Sequence, residues 1–390
     1  MDLFFTPEQE AIRDAIARIC ADFDADYWRK IDKEERFPEE FAQAIAKAGW
    51  LGIAMPPEFG GAGLGITETA IMAETIGASG ACASGFSAVM PNVFGLHPVV
   101  IAGTKEQQQR MLPPLIQRKD VACFGVTEPN TGLDTTRLKT RAELDKEGKV
   151  YIVNGQKIWT TTAQESNKIL LIARTKPIEE TKRPIDGLTL FYTNLDRKYC
   201  EVRRIPKMGR AAVDSNMIFF ENLPVPVTDR IGAEGEGFKL LLHGLNPERI
   251  QIAAGVCGSA RAALNRAVKY ANERVVFNRP IGMNQAIQHP LADSWCKLEA
   301  ARLMTYKAAM LYDRKLPCGP EASAAKYLAA ECNFETAERA VLTHGGMGYA
   351  KEFHVERYLR ESFIHKLGPV SHELILCYIA EKVLGLPKSY

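Results

Sequence analysis

The first third of the chain carries hydrophobic residues at helical spacing. Ile12, Ile16 and Ile19 recur three or four positions apart, so they fall on one face of a helix. The same periodicity predicts further helices at 39–49, 66–77 and 105–117. We therefore predict an N-terminal helical domain over residues 1–120.

The pattern changes in the middle of the chain to short runs of β-branched and aromatic residues. Turn residues separate these runs, as expected for strands, and the runs lie at 150–153, 169–173, 188–192 and 217–220. Asn154 and Gly155 stand between two strand-like runs, and this dipeptide favours the tight turn of a hairpin. Residues 121–231 are therefore predicted to form a β domain.

Long helical stretches return after the glycine-rich segment at 232–238. They are predicted at 250–274, 284–314, 321–344 and 371–384. Residues 232–390 are thus predicted to form a second helical domain. Because strands and helices are segregated and do not alternate, the chain is assigned to the α+β class and not to the Rossmann type.

The composition of the chain excludes several functional classes. Its 390 residues carry a net charge of +2, so there is no basic excess for binding nucleic acid. No apolar run reaches about 18 residues, so no membrane span is expected. The nine cysteines are scattered without CxxC spacing, which favours free thiols in a reducing, cytoplasmic compartment. The seven histidines lack metal-site spacing, so no metal is expected.

Four polar patches remain as candidates for chemistry, and each alone has an ordinary structural explanation. Segment 123–134 could be any junction between a strand and a loop, and the tryptophan in 158–161 could be a core residue. Segments 272–288 and 344–361 could be a solvated helix end and a loop. The signatures GxGxxG, GxSxG, HExxH and the P-loop are absent from the sequence.

Taken together, the patches and their spacing resemble one family, the acyl-CoA dehydrogenases. The family's VTEPxxGSD and NGxKxWIT runs appear as VTEPNTGLD at 126–134 and NGQKIWTT at 154–161. Its long run from KxGxRxSD to GxEGxGF corresponds to residues 207–238. Its RxxFGxxxxxxQ and GGxGY runs appear as RVVFNRPIGMNQ at 274–285 and GGMGY at 345–349. The resemblance covers essentially the whole chain.

The resemblance implies a fold, a cofactor and a reaction. The expected fold is an N-terminal helical domain, a central β domain and a C-terminal four-helix bundle, assembled as a homotetramer that is a dimer of dimers. The expected cofactor is FAD. In the expected reaction, a carboxylate removes the Cα proton of an acyl-CoA thioester while the flavin accepts a hydride from Cβ. The expected electron acceptor is an electron-transferring flavoprotein.

The resemblance also assigns cofactor contacts by position. Phe124, Thr127 and Thr161 are expected to contact the isoalloxazine, and Trp159 is expected to pack on the ring. Three further residues are expected at the ADP half of a neighbouring subunit's FAD, namely Arg274, Phe277 and Gln285. The implied cofactor set is completed by Gly345, Gly346 and Ser371.

The largest departure from the family concerns the catalytic base. Many members carry a glutamate in a loop where this chain has Pro369, which lacks both a carboxylate and an N–H group. Smaller departures, each affecting one expected contact, occur at Leu133, Asn278 and Leu342. In members such as the isovaleryl-CoA and long-chain enzymes, the base lies on a helix within an ERxxxA-like run, which Glu248 and Arg249 match.

Glu248 therefore has two interpretations. In LNPERIQIAAG, residues 245–255, Asn246 could cap a helix with Pro247 in its first turn, and the acid would complement the helix dipole. Alternatively, Glu248 is the catalytic base, with a carboxyl pKa raised by desolvation and with Arg249 as a substrate-binding residue. One residue can serve both roles.

Other outcomes stay open on the same scaffold. A desulfinase, an oxidase or a monooxygenase could use the flavin differently, because Pro369 alters the loop at the thioester. A helical scaffold protein without flavin is a third alternative. The altered loop favours a branched, cyclic or otherwise non-linear acyl group, and segment 86–98 is expected to form the floor of the acyl pocket.

Overall fold

The computed structural model describes residues 5–94 and 96–389. Its first part is helical, and the helices predicted after the first one end within two residues of their expected limits. The first helix begins with a capping box, in which the backbone amides and side chains of Thr6 and Gln9 exchange hydrogen bonds. The helices are α1 (Pro7–Ala21), α2 (Ala25–Glu34), α3 (Glu39–Lys47), α4 (Ile66–Ile76), α5 (Cys82–Phe94), α6 (His97–Ala102) and α7 (Lys105–Ile116).

The central part is one sheet, and each of the four predicted strand runs lies in one of its strands. The strands are β1 (Ala122–Gly125), β2 (Arg141–Leu144), β3 (Val150–Thr161), β4 (Lys168–Arg174), β5 (Leu188–Asn194), β6 (Cys200–Arg204), β7 (Ser215–Pro226) and β8 (Arg230–Ile231). Their order is β6-β7-β3-β2-β4-β5-β8, and β1 pairs in parallel with β4. Long antiparallel pairing of β3 with β7 brings sequence-distant segments together.

The predicted turn at Asn154 and Gly155 is wrong. β3 continues through both residues and stays paired with β7, with a register shift at Gly155 that marks a bulge. Gly155 has φ +146°, and the Asn154 side chain accepts a hydrogen bond from the Asn222 amide at 2.9 Å. The chain reverses earlier, between β2 and β3, where the Asp145 carboxylate accepts hydrogen bonds from two backbone amides. Strand pairing therefore overrides the local turn preference.

The last part consists of long helices and a short two-stranded hairpin. α8 (Gly237–Glu273) begins well before the predicted start, so Asn246 does not cap a helix. Pro247 and Glu248 lie inside α8, and the interpretation of Glu248 as a helix-start acid is wrong. Segment 344–361, for which a loop was the ordinary explanation, contains the start of a helix at Val355. The remaining elements are β9 (Val275–Val276), β10 (Arg279–Pro280), α9 (Gln285–Asp313), α10 (Gly319–His344), α11 (Val355–Leu367) and α12 (His372–Lys382).

The N-terminal and C-terminal helices share one hydrophobic core. Trp28, Phe86 and Ile250 belong to the same cluster of buried residues although they come from α2, α5 and α8. The stretch Ile66–Ala102 is long and apolar enough to span a membrane by composition alone, but 75% of its most apolar window is buried inside the protein. Packing against α8 therefore accounts for its apolar character.

A buried ion pair fixes the loop that follows β1. The Lys157 ammonium on β3 is fully buried and donates hydrogen bonds to the Glu128 carboxylate at 2.9 Å and to the Val126 carbonyl at 3.0 Å. Glu128 also accepts hydrogen bonds from the amides of Lys139 and Thr140, at 2.7 and 2.9 Å. Burial lowers the pKa of Lys157 to about 8, although Glu128 opposes the shift. The loop is thus held against the sheet by two buried charges, each of which offsets the cost of burying the other.

Lys157→Met should destabilise the fold by about 3–5 kcal/mol, because it leaves the Glu128 carboxylate buried without its cation. The matched control is Lys149→Met, which removes an exposed partner of Glu147 and should change the free energy of unfolding by less than about 1 kcal/mol. Urea unfolding followed by circular dichroism measures both variants. Equal stability of the two would show that the buried pair does not tie the loop to the sheet.

Candidate active site

Four of the predicted cofactor contacts meet where the loop after β1 touches the end of β3. The Ile158 amide donates a hydrogen bond to the Thr127 carbonyl at 2.9 Å, so Thr127 lies beside Trp159. Trp159 has φ +62° and is 55% exposed although it belongs to a strand. Thr161 ends β3, and Phe124 lies on β1, which contacts β3. We call these four, Phe124, Thr127, Trp159 and Thr161, the flavin-side residues.

The surroundings of the flavin-side residues fit a planar group with polar edges. Trp159 offers an apolar ring face that remains open to solvent. The hydroxyls of Thr131 and Thr160 are buried and have no hydrogen-bond partner among the described residues. A buried hydroxyl without a partner is costly. Leu133, which replaces the family's serine, is 64% exposed and offers no side-chain hydrogen bond.

A second group of predicted cofactor residues lies on the protein surface. Phe277 sits at the turn between β9 and β10 with φ +50°, and it is 95% exposed. Arg274 and Gln285 flank this hairpin and are exposed, as are Gly345 and Gly346 after α10. Within residues 5–94 and 96–389, no hydrogen bond or ion pair joins this group to Thr127, Trp159 or Thr161. Its predicted contacts with a neighbouring subunit's cofactor stay predictions.

Glu248 presents an unpaired carboxylate on α8. In the described part of the chain it accepts no hydrogen bond and forms no ion pair. Protein atoms surround the carboxyl, although the side chain keeps partial contact with solvent. This desolvation raises the pKa of Glu248 to about 7, and the neighbouring Arg249 only partly opposes the shift. A carboxylate that titrates near neutrality is suited to accept a proton at physiological pH.

Two other acids near the Pro369 loop are unsuited to proton abstraction. Glu361 is buried, and its carboxylate accepts hydrogen bonds from Arg357 at 2.9 Å and from the Ser84 hydroxyl at 2.8 Å. Glu373 is exposed at the start of α12, where its own backbone amide lowers its pKa. The carboxylate of Glu361 is already engaged and that of Glu373 is solvated, whereas the carboxylate of Glu248 is both desolvated and unpaired among the described residues.

The loop that carries Pro369 is held by a buried lysine. Lys326 of α10 is 1% exposed, and its ammonium donates a hydrogen bond to the Val370 carbonyl at 2.9 Å. Burial lowers the pKa of Lys326 to about 8, and the nearby Arg249 adds to the shift. Ser371, a predicted cofactor residue, caps the first turn of α12 with its hydroxyl. Its contact with the cofactor stays a prediction.

Arg249, the predicted substrate-binding residue, keeps a donor free. Its Nη1 donates a hydrogen bond to Asn246 Oδ1 at 3.0 Å, whereas its Nε is buried and unpaired in the part of the chain that the structure describes. Burial lowers the pKa of Arg249, and Glu248 opposes that shift. The free Nε is available to a bound substrate because an unpaired buried donor gains from any acceptor.

The sequence analysis missed two polar residues of this region. Gln251, one turn after Glu248, is 1% exposed, and neither end of its amide has a partner among the described residues. Arg210 donates a hydrogen bond to Ser87 Oγ at 3.1 Å and reaches Thr161 Oγ1 at 3.4 Å. A signal for Arg210 exists, because KMGR places arginine one position earlier than the family pattern KxGxRxSD. No comparable signal marks Gln251.

Comparisons with known proteins indicate the same family in the N-terminal, middle and C-terminal parts of the chain. Family models of the acyl-CoA dehydrogenase N-terminal, middle and C-terminal domains match residues 6–119, 123–223 and 235–384. The acyl-CoA dehydrogenase FadE12 of Mycobacterium tuberculosis is 33% identical, with 98% of this chain and 97% of that protein covered. The 3-(aryl)acrylate reductase of Clostridium sporogenes is 36% identical, with 98% and 100% covered. The solved butyryl-CoA dehydrogenase of Megasphaera elsdenii has a TM-score of 0.91 at 27% identity, with 98% and 100% covered.

Arg274→Ala should weaken FAD binding by about 10- to 100-fold, because a charge-assisted hydrogen bond to the cofactor would be lost. It should also weaken assembly, since the contact is predicted to cross between subunits. FAD per chain after gel filtration and light scattering measure the two effects. Lys269→Ala is the control, because Lys269 is an exposed residue near the end of α8. An Arg274→Ala protein with wild-type FAD affinity and assembly would remove Arg274 from the site.

Proposed function

This chain belongs to the acyl-CoA dehydrogenase family, whose members use FAD, and we propose that it desaturates an acyl-CoA thioester with Glu248 as the catalytic base. The observation that carries the proposal is the unpaired carboxylate of Glu248 on α8. The proline at position 369 supports it, because the loop then offers no carboxylate of its own.

Desolvation prepares Glu248 for proton transfer. Its charged form is destabilised by burial, so the carboxylate gains when it accepts the Cα proton and becomes neutral. With a pKa of about 7, a substantial fraction remains ionised at neutral pH. When bound, FAD supplies the acceptor for the hydride that leaves Cβ. Trp159 and Thr161 would hold the isoalloxazine, and so fix the position of that acceptor.

Arg249 supports the base in this proposal. Its charge opposes part of the desolvation effect, which keeps the Glu248 carboxylate accessible in its ionised form. Its buried Nε donates to the substrate once an acyl-CoA is bound. Pro369 cannot donate to the thioester carbonyl, because proline has no N–H group. A ribityl hydroxyl of the cofactor or a neighbouring backbone amide is left to polarise that carbonyl.

The reverse reaction is a second candidate function. The relative named 3-(aryl)acrylate reductase is supporting evidence, because saturation of a conjugated acyl group uses the same two transfers in the opposite direction. Protonated Glu248 would then return a proton to Cα. Anaerobic flavin reduction by a saturated acyl-CoA, compared with oxidation of reduced flavin by the matching enoyl-CoA, separates the two directions.

The compartment, the oligomeric state and the electron acceptor complete the proposed function. We infer a cytoplasmic homotetramer, a dimer of dimers, that passes its electrons to an electron-transferring flavoprotein. The exposed ring of Phe277 supports the assembly, because covering a large apolar side chain at a subunit contact removes it from water. A flavin that reoxidises quickly with oxygen instead would favour the oxidase or monooxygenase alternative.

Glu248→Gln should preserve folding and FAD binding while the rate of flavin reduction by an acyl-CoA falls by at least about 10²- to 10⁴-fold. The glutamine amide has a similar shape but cannot accept the Cα proton. The measurement is anaerobic bleaching of the flavin absorbance, beside a thermal melt. Glu373→Gln is the matched control and should bleach at nearly the wild-type rate, because Glu373 is exposed. Nearly normal bleaching by Glu248→Gln would dismiss Glu248 as the base.

The rate of flavin reduction should rise with pH through about 7, because only ionised Glu248 can accept a proton and burial raises its pKa to about 7. Below this pH the carboxyl is protonated, and the rate should fall about tenfold per pH unit. The rate is measured by stopped flow at saturating and at low acyl-CoA concentration. The residual rate of Glu248→Gln should lack this step. A wild-type midpoint at the ordinary glutamate pKa would contradict the role of desolvation.

A further inference from the structure

A guanidinium lies between the flavin-side residues and α5. Arg210 belongs to the loop between β6 and β7 and has φ +58°. Its Nη1 donates a hydrogen bond to Ser87 Oγ on α5 at 3.1 Å, and its Nη2 reaches the hydroxyls of Thr161 and Ser215 only at 3.4 Å. Its Nε is buried and lacks a partner among the residues described. One edge of the guanidinium is therefore poorly satisfied.

Among the described residues, no carboxylate forms an ion pair with Arg210. Burial lowers the pKa of Arg210, and Glu361 and Asp214 oppose this shift from a distance. Both carboxylates are engaged elsewhere: Glu361 pairs with Arg357 at 2.9 Å, and Asp214 accepts a hydrogen bond from the Gln164 amide at 3.3 Å. The charge of Arg210 thus lacks a direct counter-ion in this part of the protein.

The charge of Arg210 affects two neighbouring titratable groups. Burial lowers the pKa of His365 to about 3, and the charges of Arg210 and Lys326 add to that shift. Burial also lowers the pKa of Lys207 to about 8, again with a contribution from Arg210. A buried cation without a counter-ion is costly, and a bound anion would relieve that cost.

The packing of α5 on α8 places Arg210 away from the base. Phe86 of α5 packs its ring on Gly255, where an added Cβ would lie 2.7 Å from the ring. Gly255 is two helical turns beyond Glu248, about 10 Å along the axis of α8. Arg210 binds the hydroxyl of the residue next to Phe86, and Arg249 is the charged group that acts on Glu248. Arg210 therefore stands beyond the position of proton abstraction.

We propose that Arg210 binds a carboxylate at the end of the acyl chain remote from the thioester, so that the substrates are ω-carboxyacyl-CoA thioesters. This inference rests on the proposed function, because that function places the acyl group between Glu248 and the flavin-side residues. The Nε and Nη2 donors share one edge of the guanidinium, and a carboxylate can accept from both at once. The bond from Nη1 to Ser87 holds that edge in place.

Two other uses of Arg210 fit the contacts less well. A structural link between α5 and β3 would not require a charged group and would leave Nε unpaired. A contact with the cofactor alone would not require Ser87, since α5 carries none of the predicted flavin contacts. An anionic acyl end accounts for the free edge, for the charge and for the position between α5 and Thr161.

The first test compares straight-chain ω-carboxyacyl-CoA thioesters with methyl-terminated acyl-CoA thioesters of equal length in the holoenzyme. Wild-type kcat/KM should favour the carboxylated series by about 10- to 100-fold. Arg210→Met should abolish that preference, because kcat/KM for the carboxylated series should fall about 10- to 100-fold further than kcat/KM for the methyl-terminated series. Arg203→Met, which removes an exposed cation on β6, is the control and should keep the preference.

The second test measures binding without turnover, in Glu248→Gln holoenzyme, by calorimetric titration with the same two series. A preference for the carboxylated series that is lost in the Glu248→Gln, Arg210→Met double variant supports the role of Arg210, even if no acyl-CoA reduces the flavin. Arg210→Lys keeps the charge without the paired donors, should keep part of the preference, and serves where Arg210→Met does not fold.

Three results would overturn the inference. Flavin reduction by methyl-terminated thioesters without any charge preference would leave the proposed function intact and exclude a carboxylate at Arg210. Equal losses for both series in Arg210→Met would identify a structural link. A shifted flavin midpoint potential with an unchanged preference would identify a contact with the cofactor.

Discussion

The buried ion pair of Lys157 and Glu128 is the interaction on which the arrangement of the site depends. It joins a strand to a loop 29 residues earlier in the chain, and so it sets the separation between Thr127 and Trp159. Neither charge can be removed alone from a low-dielectric interior without a large cost, so the loop cannot leave the strand. Glu248 is the contrasting case, because burial raises the pKa of its carboxyl and the neighbouring Arg249 only partly opposes that shift.

The 37-residue helix α8 is the second constraint, because it places several residues of the proposed site on one continuous element. Glu248 and Arg249 occupy its first half, and Gly255 provides the close contact with Phe86. Its last residue leads directly into the hairpin of Phe277. In the proposed tetramer, one helix would therefore connect the base of one site with the cofactor of another.

Hydrophobic periodicity predicts most helices and the three-domain order correctly, whereas local turn preferences locate chain reversals poorly. Asn154 and Gly155 carry a strong turn signal, but pairing of β3 with β7 on both sides absorbs them in a bulge. Pro247 is typical of a helix start, yet α8 extends through it. The KMGR run marks Arg210 itself, but its contact with Ser87, 123 residues away in the sequence, is not encoded by that local pattern. The domain limits at residues 120 and 231 stay predictions.

The hydrogen bonds between Ser84 and Glu361 join residues 277 positions apart, and both lie in the shared helical core. During translation, α5 leaves the ribosome long before α11 is made. Ser84 of α5 therefore lacks this partner until almost the whole chain has been synthesised. The N-terminal helices share their core with α8, so they cannot complete it as an independent unit before α8 has been synthesised.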